Sequence, residues 1–138
     1  EINIGMTADV GTFPRIFKLI PEGIARELAY TGRRMPAAEA QAAGLVNRVF
    51  PDQQSMLQEV MAIARDIASK PPLALYGCKR MANCSRDHST ADALDYVRIW
   101  NASMLQREEI LEAIQANMEK RPGEFAELPP AKPVLGGE

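Results

Sequence analysis

The sequence has 138 residues, a length typical of one domain with its own hydrophobic core. Its apolar and charged fractions are ordinary for a globular protein. The net charge of -2 argues against nucleic acid as the main partner, because phosphate-binding surfaces carry a strong basic excess. No apolar run approaches the length that crosses a bilayer, so no membrane partner is expected.

The beginning of the chain predicts a loop followed by two short helices. Residues 1–11 contain glycines between short apolar residues, which is typical of a loop. Thr12 is predicted to cap the first helix. Pro21 is predicted to open the second, which ends at Gly32, where a glycine cap belongs. Because the sequence opens at Glu1 without a methionine, in an ordered-looking pattern, we expect a piece of a longer protein or a processed chain.

The middle of the chain contains the single predicted strand. Residues 36–43 are rich in alanine and predict a third short helix. Residues 45–50 include two β-branched valines and lie between a glycine and a proline, which predicts a strand. Asp52 or Ser55 is then predicted to cap a longer helix with apolar residues at helical spacing.

The remaining residues predict further helices. Pro71-Pro72 breaks the long helix and starts the next, which is predicted to run to about Ala82. Residues 89–92 form a capping-box pattern, and the helical face that follows continues to Arg121. The apolar faces are broader than a small bundle needs. This excess indicates another subunit or a missing half of the domain.

Cysteine and histidine content excludes the common metal sites. Cys78 and Cys84 are the only cysteines, and His88 is the only histidine. The thiols do not form a CxxC pair and no second ligand pair exists, so we expect no metal and two reduced cysteines, as in an intracellular protein. No targeting segment is visible at the beginning of the sequence. His88 lies in a polar turn, and we expect it to be structural.

Glu1 and Asp9 are the candidate catalytic residues. The small residues Gly5 and Ala8 lie between them and Gly11 follows closely, and these residues would let a ligand approach the backbone. Two carboxylates across a pocket can divide a proton transfer, since one takes a proton while the other supplies one. On spacing alone, the alternative is a solvated glutamate and a helix-capping aspartate.

Several motifs resemble those of the crotonase superfamily. Residues 1–12 are similar to the segment that begins at an active-site glutamate and runs to a Gly-Thr before a helix. Residues 31–40, TGRRMPAAEA, resemble the family's TGRxxxAxEA helix entry, and residues 44–50 resemble its GLVNRV strand. Pro71-Pro72 and Lys79 match a proline pair followed by a helical lysine.

The resemblance implies the C-terminal half of an α/β crotonase fold, in a chain that is itself mostly α with one or two short strands. It places the end of the spiral core at residues 1–70, helices that form homotrimers or hexamers at residues 71–125, and a flexible tail at residues 126–138. It also implies a missing N-terminal half of the same protein with the oxyanion hole. This chain alone is therefore expected to be inactive.

Asp9 distinguishes branches of the family. Hydratases usually have glycine there, whereas an aspartate eight residues after the glutamate is similar to the dienoyl-CoA isomerases. The resemblance implies that Glu1 abstracts a proton at C2 of a 3,5-dienoyl-CoA and that Asp9 returns one at C6, in fatty-acid β-oxidation. No cofactor is implied beyond the CoA of the substrate. Enoyl-CoA hydration, single double-bond isomerisation and a non-catalytic oligomerisation module remain open.

Three residues further along the chain are also candidates for ligand or subunit contacts. Lys120 matches a family position whose lysine reaches the CoA adenine of a neighbouring subunit, or it is an ordinary basic residue favoured near a helix C-terminus. Asn117 stands where hydratases often have an aromatic CoA contact. Trp100 lies on an apolar helix face and is expected in the core or a subunit interface. Bacterial cytoplasm and mitochondrial matrix both remain open as compartments.

Overall fold

The computed structural model describes residues 1–128, which form helices and turns and contain no β-strand. A 3-10 turn at Ile2–Ile4 precedes the helices. In chain order these are α1 Thr12–Ile16, α2 Glu22–Thr31, α3 Ala37–Ala42, α4 Gln53–Ala68, α5 Pro72–Asp87, α6 Thr90–Met104 and α7 Arg107–Glu119. The chain divides into two compact units, Glu1–Glu59 and Val60–Glu138. The division falls within α4, whereas the predicted core and trimerisation regions meet after residue 70; that assignment of roles stays a prediction.

Proline residues begin α2 and α3, and a glycine ends α2, as predicted. Pro21 and Pro36 are the N-cap residues of α2 and α3, both with extended backbone. Gly32 ends α2 in the left-handed region at φ 63°, and its amide donates to the Leu28 carbonyl at 3.0 Å. The prediction for Thr12 is wrong, because Gly11 is the N-cap of α1 and Thr12 is the first helical residue.

The predicted strand at residues 45–50 is absent. The amides of Leu45 and Val46 instead donate to the Ala40 carbonyl, at 2.8 and 3.4 Å, so the chain folds back on the end of α3. A strand gains its hydrogen bonds from a neighbouring strand. Residues 1–128 contain no such neighbour, and the β-branched composition of this segment has nothing to pair with.

Side-chain caps begin α4 and α6 at the predicted residues. The Ser55 amide donates to Asp52 Oδ1 at 2.7 Å, so Asp52 is the capping residue of the two alternatives. The Asp92 amide donates to Ser89 Oγ at 3.2 Å, as the capping-box pattern predicts. α5 continues past its predicted end at Ala82 to Asp87, because no helix breaker intervenes. The expected continuous face toward Arg121 is broken where the backbone becomes extended between α6 and α7.

Few side chains of residues 1–128 are buried, and the buried apolar ones are small apart from one isoleucine. They are Ile20, Ala25, Ala40, Ala93 and Ala116. Large apolar side chains are exposed along α4, α6 and α7, including Val60, Leu94 and Met118. The excess of apolar surface predicted from the sequence is therefore present. Its coverage by another subunit or by further chain stays a prediction.

The predicted flexible tail lies mostly outside the residues that the structure describes. Of the predicted flexible tail, residues 129–138 lie outside the described residues, and residues 126–128 have no regular structure. Across the described part of the chain, every helix is too short or too polar to cross a membrane.

Candidate functional site

Glu1 lies at the start of a tight turn. Its carbonyl accepts the amides of Ile4 and Met6, both at 3.0 Å, and the Ile2 carbonyl accepts the amide of Gly5 at 3.1 Å. Gly5 closes the turn in the left-handed region at φ 75°. We name residues 1–6 the Glu1 turn. These local hydrogen bonds fix the backbone that carries the Glu1 carboxylate.

The Glu1 turn packs against the C-terminal end of α2. A Cβ atom built on Gly32 would lie 2.7 Å from Ile2 Cγ2 and 2.9 Å from both amide atoms of Asn3. These separations are shorter than ordinary van der Waals contact, so a side chain at Gly32 would force Ile2 and Asn3 to shift. The glycine of the TGR motif therefore ends α2 and also admits the neighbouring turn.

A cleft of about 390 Å³ opens beside this contact. Its walls are mostly aliphatic or aromatic, and Glu1 is the carboxylate among them. The residues that line it are Glu1, Ile2, Met6, Thr7, Ala8, Thr12, Phe13, Ile16, Ala25, Leu28, Ala29, Tyr30 and Gly32. We name it the Glu1 cleft. A single carboxylate on largely apolar walls suits a ligand with a hydrocarbon chain and one acidic C–H group.

Asp9 follows a lining residue of the cleft, Ala8, but is not itself among the residues that line it. Its Oδ1 accepts the Val10 amide at 2.5 Å, and its carbonyl accepts the Gly11 amide. It does not cap α1, whose N-cap residue is Gly11 and which begins without a side-chain capping bond. Glu1 and Asp9 are both exposed in this chain. The described residues thus supply one carboxylate on the cleft and a second on the adjoining turn.

The side chain of Arg33 connects α2 and α3 through ion pairs. Its Nε donates to Glu27 at 2.7 Å, and its two terminal nitrogens donate to the two carboxylate oxygens of Glu39. This fork-to-fork geometry joins the end of α2 to α3. The Arg and Glu of the TGRxxxAxEA motif are therefore ion-pair partners with a structural role.

Lys120 lies in the second unit, at the end of α7. Its backbone is left-handed at φ 54°, and it is the non-glycine residue with positive φ among residues 1–128. The Lys120 and Arg121 amides donate to the Asn117 and Ala116 carbonyls, at 3.3 and 3.0 Å, which is the Schellman pattern of helix ends. The exposed ammonium is compatible with both interpretations of Lys120.

The remaining residues considered from the sequence take structural positions. Both cysteines are free thiols, and Cys84 Sγ lies 3.7 Å from His88 Nδ1. His88 Nδ1 also lies 3.0 Å from the Cys84 carbonyl, at the end of α5. Trp100 is half-buried between α5 and α6. Within residues 1–128, no three His, Cys, Asp or Glu side chains are grouped so that they could hold a metal ion.

The contact between Gly32 and the Glu1 turn was not predicted from the sequence. Gly32 was expected only as a helix cap, and its contact with Ile2 and Asn3 joins residues about thirty positions apart. The signal available in the sequence was the TGR motif itself. The motif does not reveal which other segment approaches the glycine.

Comparison with known proteins places this arrangement in a family. The model of the enoyl-CoA hydratase/isomerase family matches residues 1–128. The chain is similar to "Delta(3,5)-Delta(2,4)-dienoyl-CoA isomerase, mitochondrial" of Rattus norvegicus, at 48% identity over 88% of this chain and 37% of the relative. It is also similar to "Delta(3,5)-Delta(2,4)-dienoyl-CoA isomerase, peroxisomal" of Arabidopsis thaliana, at 39% identity over 93% of this chain and 46% of the relative. The chain thus spans less than half the length of these relatives.

A solved structure shows the same fold. The crystal structure of an enoyl-CoA hydratase from Mycobacterium marinum superimposes with a TM-score of 0.80 and 31% identity, over 91% of this chain and 49% of that one. The helices described above therefore form part of a crotonase fold, whose remaining elements lie in the rest of such proteins. The family match and this superposition agree along nearly the whole described chain. The chain belongs to the enoyl-CoA hydratase/isomerase family, the crotonases.

Proposed function

We propose that the longer protein containing this chain converts 3,5-dienoyl-CoA to 2,4-dienoyl-CoA in fatty-acid β-oxidation. The observation that carries the proposal is the position of Glu1, a carboxylate on the mostly apolar wall of the Glu1 cleft. An unsaturated acyl chain suits such walls, and a carboxylate beside it can act as a general base. The relatives named as dienoyl-CoA isomerases support this choice within the family.

In the proposed reaction, the Glu1 carboxylate takes a proton from C2 of the substrate. The electron pair of the broken C–H bond spreads over the thioester carbonyl and the two double bonds. Asp9 supplies a proton that forms the new bond at C6, and the double bonds become those between C2 and C3 and between C4 and C5. One proton leaves and one is added, so the substrate needs no oxidant, metal or redox cofactor.

The enolate formed on the thioester oxygen needs hydrogen-bond donors. Such preorganised donors often contribute the largest part of catalysis in enolate chemistry. Because the chain spans less than half of its relatives, we propose that these donors belong to the N-terminal half of the protein. This chain alone is then inactive. Homotrimers or hexamers would cover the exposed apolar side chains of α6 and α7.

The deciding experiment compares two variants of the full-length protein, Glu1→Gln and Asp9→Asn. Isomerisation of a 3,5-dienoyl-CoA is followed by the absorbance of the conjugated product. Each variant should lose roughly 10²- to 10⁴-fold in kcat, the usual contribution of a positioned proton-transfer group. Asp66→Asn is the matched control, because Asp66 is an exposed acid whose partner is Lys70, just beyond the end of α4.

Isotope exchange separates the two carboxylates. In D₂O, Asp9→Asn should still exchange the C2 proton of the substrate although it does not isomerise it, whereas Glu1→Gln should do neither. Hydration of a 2-enoyl-CoA is measured beside these reactions. Near wild-type isomerisation by Asp9→Asn, or hydration as the faster reaction of the wild-type protein, would show that the two-carboxylate isomerase is the wrong choice.

A further inference from the structure

We propose that Gly32 is a positioning residue for Glu1: the bare backbone at the end of α2 sets where the Glu1 turn, and so the carboxylate, lies. This inference rests on the proposed function of Glu1 as the base. Gly32 and Glu1 line the same cleft. The two residues are connected through Ile2 and Asn3, which lie directly against Gly32.

The contact leaves no room for a Cβ on Gly32 unless the neighbouring side chains shift. A Cβ on Gly32 would approach Ile2 Cγ2 to 2.7 Å and the Asn3 Nδ2 and Oδ1 atoms to 2.9 Å. Ile2 and Asn3 are the first two residues of the 3-10 turn Ile2–Ile4, whose N-cap residue is Glu1. The Asn3 amide group is the end of an exposed side chain and can turn away, but Cγ2 of Ile2 is carried directly on the Cβ of a stiff, β-branched side chain. A shift of Ile2 is therefore passed to Glu1, its covalent neighbour.

The Gly32 side of the contact is held more firmly than the Glu1 side. Arg33 pairs with Glu27 at 2.7 Å and with both oxygens of Glu39. The hydroxyl of Thr31 donates to the Glu27 carbonyl at 2.7 Å and accepts the Arg33 amide at 3.3 Å. Within residues 1–128, the backbone hydrogen bonds of the Glu1 turn are all short-range bonds inside the turn. When a side chain is added at Gly32, the Glu1 turn is therefore expected to move rather than the end of α2.

A displacement of this size matters for proton transfer. A misplacement of about 1 Å at a reacting group can cost about 10²-fold in rate, because the reacting atoms must lie close together and aligned. Gly32 and Ile2 are two of the 13 residues that line the Glu1 cleft, so most of the surface that would bind the acyl chain is unchanged. The inference thus predicts a fall in kcat without a matching rise in KM.

The test uses Gly32→Asn and Gly32→Ala in the full-length protein. Asparagine tolerates the left-handed backbone, so Gly32→Asn adds a Cβ with less backbone strain and is the variant more able to fold. Two glycines of the same unit are matched controls. Gly44 has φ 83° and its Cβ would meet only the Leu19 carbonyl, at 3.9 Å, while a Cβ on Gly23 would meet nothing within 4 Å.

Both Gly32 variants should lower kcat roughly 10²-fold with an unchanged KM. They should also speed hydrogen exchange at the amides of Ile4 and Met6, which report the Glu1 turn directly. Gly44→Ala should lower the thermal midpoint without either change, and Gly23→Ala should leave kcat and exchange as they are. Wild-type kcat in Gly32→Asn, or unchanged exchange at Ile4 and Met6, would overturn the inference.

The hydrogen-exchange measurement tests the role of Gly32 independently of the proposed function. If the protein does not isomerise dienoyl-CoA, the proposed function fails, yet the exchange rates still show whether Gly32 holds the Glu1 turn. If Glu1→Gln is inactive while Gly32→Asn behaves like wild type, the proposed function stands and the positioning role of Gly32 fails.

Discussion

The indole of Trp100 lies against the backbone of Gly77, where α6 crosses α5. A Cβ on Gly77 would be 2.7 Å from Trp100 Nε1 and 3.0 Å from Cε2, and Gly77 itself is buried. Tyr76 and Tyr96 flank the indole, with ring centroids 5.8 and 6.4 Å from it. Glycine inside a helix ordinarily costs stability. Here it allows the largest side chain of the sequence to pack between two helices.

We expect Gly77→Ala to destabilise the protein by ~1–3 kcal/mol, because overfilling a packed contact outweighs the gain in helix propensity. The free energy of unfolding is measured by urea denaturation of the full-length protein. In a Trp100→Phe background the same change should cost less, since the smaller ring leaves room for the Cβ. Equal costs in the two backgrounds would show that Gly77 and Trp100 are not coupled.

Glu39 provides a pH-dependent contribution to stability. The hydrogen bonds from Arg33 hold the pKa of the Glu39 carboxyl below its ordinary value. A lowered folded-state pKa stabilises the protein above the ordinary glutamate pKa, and that contribution is lost as the pH falls through the lowered value. We expect Glu39→Gln to lower the urea midpoint at pH 7. The difference from wild type should shrink as the pH falls below about 4, near the ordinary pKa of glutamate.

Glu22 supplies the control for Glu39. It pairs with Arg26 on the exposed surface of α2, and such pairs contribute little to stability. Glu22→Gln should change the urea midpoint only slightly at either pH. A midpoint for Glu39→Gln that matches that of Glu22→Gln would contradict a structural role for the Arg33–Glu39 pair.

Glu112 stabilises the segment that follows α7 through hydrogen bonds to its carboxylate. It accepts hydrogen bonds from Arg121, at 2.6 and 3.1 Å, and from the Glu124 amide, at 2.9 Å. These bonds, chiefly those from Arg121, lower the pKa of Glu112 to about 2. The stabilisation is complete above the ordinary glutamate pKa of about 4.3 and disappears as the pH falls toward about 2.

The direct test of this pair is an NMR titration of the Glu112 carboxyl group in the full-length protein. Its pKa should be depressed in the wild type and should rise toward the ordinary range in Arg121→Gln. Arg121→Lys should give an intermediate value, because lysine keeps the charge but not the two-pronged geometry. An unchanged pKa in Arg121→Gln would assign the depression to another group.

The helix boundaries could be predicted wherever a residue determines local backbone geometry by itself. Pro21, Pro36, Asp52 and Ser89 begin helices because each fixes a dihedral angle or supplies a capping oxygen, and Gly32 ends one because it tolerates positive φ. The strand at residues 45–50 could not be judged locally. A strand requires a partner, and none lies within residues 1–128.

The residues of the candidate site could be proposed from the sequence, whereas their packing could not. Glu1 was identified from a resemblance, and the structure places it on an apolar cleft. Its support by Gly32, and the fit of Gly77 to Trp100, depend on which helices meet in three dimensions. Sequence spacing does not reveal such contacts, because the residues involved are distant in the chain and have no common pattern.

The left-handed backbone of Lys120 makes its two interpretations separable. A non-glycine residue in this region costs roughly 1–2 kcal/mol, which glycine avoids. Part of the gain is offset by the greater freedom of glycine in the unfolded chain. Substitutions by glycine and by alanine remove the same charge, and only glycine also relieves the backbone.

We therefore expect Lys120→Gly to raise the free energy of unfolding of the full-length protein by ~0.5–1 kcal/mol, while Lys120→Ala gives no gain. If the ammonium contacts the CoA moiety, as the family resemblance implies, both variants should raise KM for the CoA thioester to the same extent and leave kcat nearly unchanged. Lys120→Arg, which keeps the charge, should then retain most of the wild-type affinity. Equal stabilities of Lys120→Gly and Lys120→Ala would contradict backbone strain at Lys120. Unchanged KM values in both variants would contradict a contact between Lys120 and CoA.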